Sequence, residues 1–133
     1  MWVNLNLTRS YYKNQNFDIC DCIYCKFFIK NFKNQYNTIS HILSMTGIDV
    51  SKPFEVNLPF LNKRGDLEYG SIQYIVYGDC EEDFIIIIDS IKISKAKFYP
   101  STNIREKHFV IEISPIIFKN PLPAEIKKEL EII

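Results

Sequence analysis

Glycine is scarce in this chain, and neither sign of charge is in excess. With 4 glycines among 133 residues, loops that wrap their backbone around phosphate groups are hard to build, and no P-loop or dinucleotide-binding fingerprint occurs. Lys and Arg together number 16, and Asp and Glu also number 16. The basic excess that is typical of nucleic-acid-binding proteins is therefore missing, and we expect no nucleic-acid partner.

Long apolar runs are missing as well. The longest, residues 84–88, is far too short to span a bilayer. The first residues, MWVNLNLTRSYY, show no basic region followed by an apolar stretch of the kind that directs secretion. We therefore expect no membrane partner and a cytoplasmic location, where the 4 cysteines would stay reduced.

Strand-forming residues dominate the second half of the chain. Hydrophobic residues make up 47%, which suits a single globular domain over residues 1–133. β-branched and aromatic residues predict strands within residues 54–60, 67–78, 83–99 and 107–118. The apolar parity changes within the third of these, which predicts a bulge or bend near Asp89 and Ser90. At the N-terminus, the alternation of Val3, Leu5 and Leu7 with polar residues predicts another strand, followed by a loop up to residue 16.

Helical periodicity is confined to three segments. Residues 21–36 place Cys25, Phe28 and Phe32 on one apolar stripe, with Asp21 as the predicted N-cap. A second helix follows, with Thr38 as its cap and Gly47 as its left-handed end. Residues 123–133 predict a short terminal helix. The predicted fold class is α+β, an antiparallel β-meander packed against two helices with a short C-terminal helix.

The segment FDICDCIYCKFF holds most of the candidate chemistry. Cys20, Cys22 and Cys25 lie close together in it, and Cys80 follows in YGDCEED. Four thiolates could hold a structural zinc ion, although Cys80 stands alone and Cys25 lies on the apolar stripe. Alternatively, Cys22 and Cys25 at a helix N-terminus could carry out redox chemistry, because the helix dipole lowers a thiol pKa there. The favoured interpretation is that the cysteines are reduced and pack as small apolar side chains, with no cofactor.

Four segments together resemble a family of small, uncharacterised bacterial proteins. They are DICDCIYCKFF, TGIDVSKPFEV, LEYGSIQYIVYG and EKHFVIEISP. The resemblance covers residues 11–118. It implies no activity, because none is known for that family, but it implies that the cysteine-rich helix and the sheet form one unit.

The remaining candidate residues are histidines and tyrosines. His41 is expected on the exposed face of the second helix, and His108 and Glu112 share one face of a strand, where they could form an acid–base pair. Tyrosines suit protein interfaces, and the candidates are Tyr11, Tyr12, Tyr69, Tyr74, Tyr77 and Tyr99.

The sequence favours a non-enzymatic binding or interaction module over any catalytic function. Its partner would be another protein or a second copy of the chain, bound through a sheet edge or a tyrosine-rich surface. One alternative is a structural-zinc domain built on Cys20, Cys22, Cys25 and Cys80. The other is a thiol-dependent redox enzyme that uses Cys22 and Cys25.

Overall fold

The computed structural model of the chain describes residues 1–14 and 22–131. Within these ranges, the helices are α1 (Leu5–Asn14), α2 (Ile23–Gln35), α3 (Asn37–Ser44) and α4 (Ala124–Glu131). The strands are β1 (Trp2–Val3), β2 (Glu55–Val56), β3 (Phe60–Leu61), β4 (Leu67–Tyr69), β5 (Ile72–Asp79), β6 (Ile85–Ile88), β7 (Ile91–Lys95), β8 (His108–Ser114) and β9 (Ile116–Phe118). The strand pairs are antiparallel. The predicted α+β class and the short C-terminal helix are therefore confirmed.

The strands form two sheets of unequal size. The larger has the order β1-β5-β8-β7-β6, and β2 pairs with the other end of the β5 edge that β1 occupies. The smaller has the order β3-β4-β9. Strands β6, β7 and β8 follow one another as in the predicted meander, whereas β5 pairs with β8 instead of β6. This crossover places β5 inside the sheet and β6 at one end of it.

The first helix contradicts the sequence prediction of a strand and a loop before residue 16. Only Trp2–Val3 is extended, and α1 begins at Leu5. The side chain of Asn4 accepts a hydrogen bond from the N–H of Leu7 (3.1 Å), which satisfies an otherwise unpaired first-turn donor. Thr8 and Tyr12, one helical turn apart, are the buried residues of α1.

Side chains of α1 complete the β5 edge between β1 and β2. The hydroxyl of Tyr12 donates to the carbonyl of Ile75 (2.8 Å) and accepts from the N–H of Ile75 (3.0 Å). The hydroxyl of Thr8 accepts from the N–H of Tyr77 (3.1 Å). Because buried backbone groups need partners, these contacts give α1 its position and explain why this tract is helical. The side of β5 that faces away from β8 is therefore covered along its length.

The next two helices agree with the sequence prediction apart from their caps. Phe28 and Phe32 of α2 are fully buried and stack at 4.8 Å between ring centroids. The predicted cap Asp21 lies outside the described residues, and Cys22 occupies the N-cap position of α2. Helix α3 begins one residue before Thr38, so a cap at Thr38 is wrong. Gly47, which follows the end of α3, has a φ of +94°, the predicted left-handed conformation.

Strand β6 and strand β7 form a hairpin where the sequence predicts one bent strand over residues 83–99. Asp89 and Ser90 have φ angles of +52° and +66°, the left-handed pair that is typical of a two-residue type I′ turn. The predicted position of the irregularity is correct, but the chain reverses there instead of bending. The strand predicted over residues 107–118 is also interrupted, at Pro115 between β8 and β9.

The main core lies between one face of the larger sheet, α2, α3 and the smaller sheet. Its largest fully buried side chains include Tyr69, Tyr74, Phe28, Phe32 and Phe109. A smaller cluster of Ile75, Tyr77, Ala96 and Val110 lies on the opposite face of the larger sheet. None of the helices in the described ranges has the length and apolar character needed to cross a membrane.

Candidate functional site

The described cysteines lie at the start of α2 and after β5. Cys22 is half-buried at the N-cap of α2, and its sulfur accepts a hydrogen bond from the N–H of Cys25 (3.4 Å). Cys25 is buried, in agreement with its predicted place on the apolar stripe. Burial, followed by the charge of Glu81, raises the pKa of Cys80, which favours the protonated thiol.

The predicted zinc site stays untested. Cys20, one of its proposed ligands, lies outside the described residues. Among residues 1–14 and 22–131, no group of three or more His, Cys, Asp or Glu side chains is arranged to hold a metal ion. A zinc ion bound by Cys20, Cys22, Cys25 and Cys80 thus remains a prediction from sequence spacing alone.

Most of the tyrosines are structural. Tyr12, Tyr69, Tyr74 and Tyr77 are buried, and Tyr11 is half-buried. Of the six candidates, Tyr99 is the exposed one. The sequence hypothesis of a tyrosine-rich binding surface is therefore wrong, because most of the candidates are buried, and the hydroxyls of Tyr12, Tyr69 and Tyr74 donate to backbone carbonyls.

The two histidines lie on different elements, His41 on α3 and His108 on β8. His41 is exposed on α3, as predicted. His108 places Nε2 2.7 Å from the hydroxyl of Thr102 and Nδ1 2.8 Å from the carbonyl of Glu106. Glu112 accepts instead from the side-chain amide of Gln73 (3.1 Å). Both ring nitrogens of His108 are engaged, so the acid–base pair with Glu112 is not formed.

Strand β6 carries an unusual concentration of exposed apolar side chains. Ile85, Ile86 and Ile87 are 56%, 38% and 71% exposed. Ile86 lies opposite the buried Ile93 and faces the core side of the sheet, whereas Ile85 and Ile87 lie on the outer face. Phe98, which is 87% exposed, lines a groove of about 460 Å³ with Ile85. The apolar surface thus extends from the strand onto the outer face of the sheet.

The backbone of β6 also presents polar groups to its outer side. A two-residue turn closes the hairpin, so Ile88 and Ile91 form a hydrogen-bonded pair and the pairs alternate from there. In agreement, the carbonyl of Phe84 accepts from an N–H of β7 (3.4 Å). By this alternation, the N–H and C=O groups of Ile85 and Ile87 point away from β7. No strand in the described part of the chain pairs with this side of β6.

The two ends of the larger sheet thus differ: one end consists of the two-residue strands β1 and β2 beside β5, and the other is β6. The outer side of β5 is covered by β1, β2 and α1, whereas the outer side of β6 has exposed isoleucines and outward backbone groups. An open edge of this kind is a template for another strand. Sequence reasoning missed Ile85 and Ile87 because the Asp-Ser turn lacks the glycine that usually marks a two-residue hairpin.

Comparisons with known proteins do not identify the chain: no family model, curated protein or solved structure matches it. The resemblance to small bacterial proteins stays a prediction, and the geometry of the β6 edge is the ground for a functional proposal.

Proposed function

We propose that the chain is a non-enzymatic protein-interaction module that binds an extended segment of a partner as an additional strand beside β6. The observation that carries this proposal is the difference between the outer side of β5, which β1, β2 and α1 cover, and the open outer side of β6. The site needs no cofactor, and we expect it to act in the cytoplasm.

Strand addition explains both features of β6. The N–H and C=O groups of Ile85 and Ile87 can form the ladder hydrogen bonds with a partner segment, which supply affinity independently of its sequence. The side chains of Ile85 and Ile87 would contact alternate residues of that segment on the outer face, which supplies selectivity. Soluble proteins usually protect such an edge with charged residues inside the strand, and β6 contains none.

Selection from a library of random linear peptides tests this proposal. We expect the full-length chain to enrich extended peptides with β-branched residues at alternate positions. Binding should be lost in the variant Ile85→Lys/Ile87→Lys, because it replaces the apolar contacts of the β6 edge with two positive charges. The matched control is Leu58→Lys, since Leu58 is 74% exposed and lies outside β6. Peptides that bind both variants equally would show that β6 is not the binding site.

Thiol–disulfide exchange at Cys22 and Cys25 is a second candidate function. The observation that favours it is the hydrogen bond from the N–H of Cys25 to the sulfur of Cys22 at the N-terminus of α2, an arrangement that stabilises a thiolate. In this reaction, the Cys22 thiolate attacks a substrate disulfide. Cys25 then attacks the mixed disulfide, which releases the reduced dithiol substrate and leaves a Cys22–Cys25 disulfide.

Differential alkylation tests the redox candidate. If it is right, Cys22 reacts with iodoacetamide at pH 6 much faster than Cys25, and the protein reduces insulin disulfides in the presence of dithiothreitol. Cys22→Ser should abolish that activity, whereas Cys80→Ser should leave it unchanged. Slow and equal labelling of both cysteines would exclude a redox role and leave the interaction module unaffected.

A further inference from the structure

We infer that the segment bound at β6 carries a basic residue near each end of a short apolar strand. This inference rests on the proposed strand addition and names the chemistry of the partner. It follows from the charges at the two ends of β6.

Acidic side chains flank β6 on both sides. Asp83 precedes the strand by two residues and Asp89 follows it directly, and both are exposed. Glu82 is already paired with Lys95 (2.6 Å). Within the described residues, neither Asp83 nor Asp89 has a basic group within ion-pair distance. These two carboxylates are therefore available to a partner.

The two aspartates lie in the turns that bound β6. Asp83 is a central residue of the turn closed by the hydrogen bond from the N–H of Phe84 to the carbonyl of Glu81 (3.1 Å), and Asp89 has positive φ in the two-residue turn to β7. Their carboxylates therefore lie near the ends of an added strand, where an opposite charge is attracted to them at short range. Since an acid lies at both ends, a segment with two basic ends fits in either direction along the edge.

The same charges disfavour a second copy of the chain as the occupant. Two β6 strands paired antiparallel about Ile86 would bring Asp83 of one copy near Asp89 of the other, at both ends of the contact. Like charges close together repel each other, and charged residues that flank an apolar strand are a common protection against self-association. The flanks thus select a partner of the opposite charge.

Basic side chains near β6 limit how strongly Asp83 and Asp89 can favour a basic partner segment over an acidic one. Lys92 lies on β7 opposite Ile87, so β6 separates it from the docked segment. The groove that includes Asp83 also contains Lys92, Lys95 and Lys97, and the cleft that includes Asp89 also contains Lys63, Arg64 and Lys119. Basic and acidic side chains are equal in number in each lining, and none of these basic groups lies within ion-pair distance of Asp83 or Asp89, so we expect a moderate preference for basic ends.

Three designed peptides test the inference against the full-length chain by fluorescence anisotropy. The first has the sequence Lys-Thr-Ile-Thr-Ile-Thr-Lys, the second has Glu in place of both Lys, and the third is the first with N-methyl groups on the amides of all three Thr and both Ile residues. We expect the basic peptide to bind about tenfold more tightly than the acidic one at low salt, and this ratio to approach one in high salt. The N-methylated peptide should not bind, because its ladder donors are blocked.

The variant Asp83→Lys/Asp89→Asn supplies the matched test of charge selection. Asn is chosen at position 89 because it tolerates the left-handed backbone conformation there. We expect this variant to lose the preference for the basic peptide or to reverse it.

Equal binding of the basic and acidic peptides would overturn the charge inference and leave strand addition standing. Tight binding of the N-methylated peptide, or binding of none of them, would overturn strand addition as well. Concentration-dependent dimers that Ile85→Lys/Ile87→Lys dissociates would identify a second copy as the occupant instead.

Discussion

Among individual residues, the tyrosines make many of the polar contacts between distant parts of the sequence through their hydroxyl groups. Tyr12, Tyr36, Tyr69 and Tyr74 each donate a hydrogen bond to a backbone carbonyl that is distant in the sequence. A buried tyrosine combines a large apolar area with a polar group that must be satisfied. The tyrosine content therefore reflects packing, and composition alone cannot separate this use from a binding surface.

The Tyr12→Phe variant tests how much one of these hydroxyls stabilises the fold. The change leaves the N–H and C=O of Ile75 without their partner, so we expect a loss of about 1–3 kcal/mol in the free energy of unfolding. Urea denaturation followed by circular dichroism measures it. Tyr99→Phe is the control, since Tyr99 is exposed, and an equal loss in both variants would contradict the role given to Tyr12.

Of the four helices described, local sequence patterns predicted α2, α3 and α4 but not α1. The stripe of Phe28 and Phe32 and the glycine after α3 are local signals, and the structure has both. Helix α1 depends on Asn4 as its cap and on contacts with Ile75 and Tyr77 of β5, which are far away in the sequence. The alternation of Val3, Leu5 and Leu7 could not reveal them.

The conformation of the turn between β6 and β7 can be tested by substitution. Asp89 and Ser90 both have positive φ, which is unfavourable for most residues with a Cβ atom. Gly has no Cβ atom, and Asn tolerates this conformation because its short polar side chain can hydrogen-bond locally. The variant Asp89→Asn/Ser90→Gly should therefore raise the free energy of unfolding by about 0.5–1 kcal/mol. Thermal unfolding measures the change.

Ser90→Val serves as the opposite control for the turn, because a β-branched residue is strongly disfavoured at positive φ. It should lower the melting temperature. If Asn-Gly destabilised the chain and Val did not, the two strands would not be joined by the turn described.

In the molecule as a whole, the order of strands in the larger sheet decides the functional interpretation. The sequence shows that residues 84–88 are apolar, which is compatible with a central strand as much as with an edge. Only the order β5-β8-β7-β6 places Ile85 and Ile87 at an open edge, and this order depends on long-range pairing. The sheet-edge hypothesis was thus available from sequence, but its location was not.

Metal content separates the interaction module from the structural-zinc alternative. A chain with a core of this size does not need zinc to fold, so we expect untagged protein to be free of stoichiometric metal and to unfold at the same temperature with and without a chelator. Native mass spectrometry and thermal unfolding measure both properties. One equivalent of zinc that is lost in Cys80→Ser would instead establish the predicted four-cysteine site.

Amide hydrogen exchange of the full-length chain, with and without the basic peptide, tests strand addition at β6 most directly. In the unbound protein, the amide of Ile86, which is paired with β7, should exchange slowly, and those of Ile85 and Ile87 should exchange fast. Added peptide should slow the exchange of Ile85 and Ile87 specifically. Slow exchange of both amides before the peptide is added, or protection confined to another part of the chain, would contradict the account.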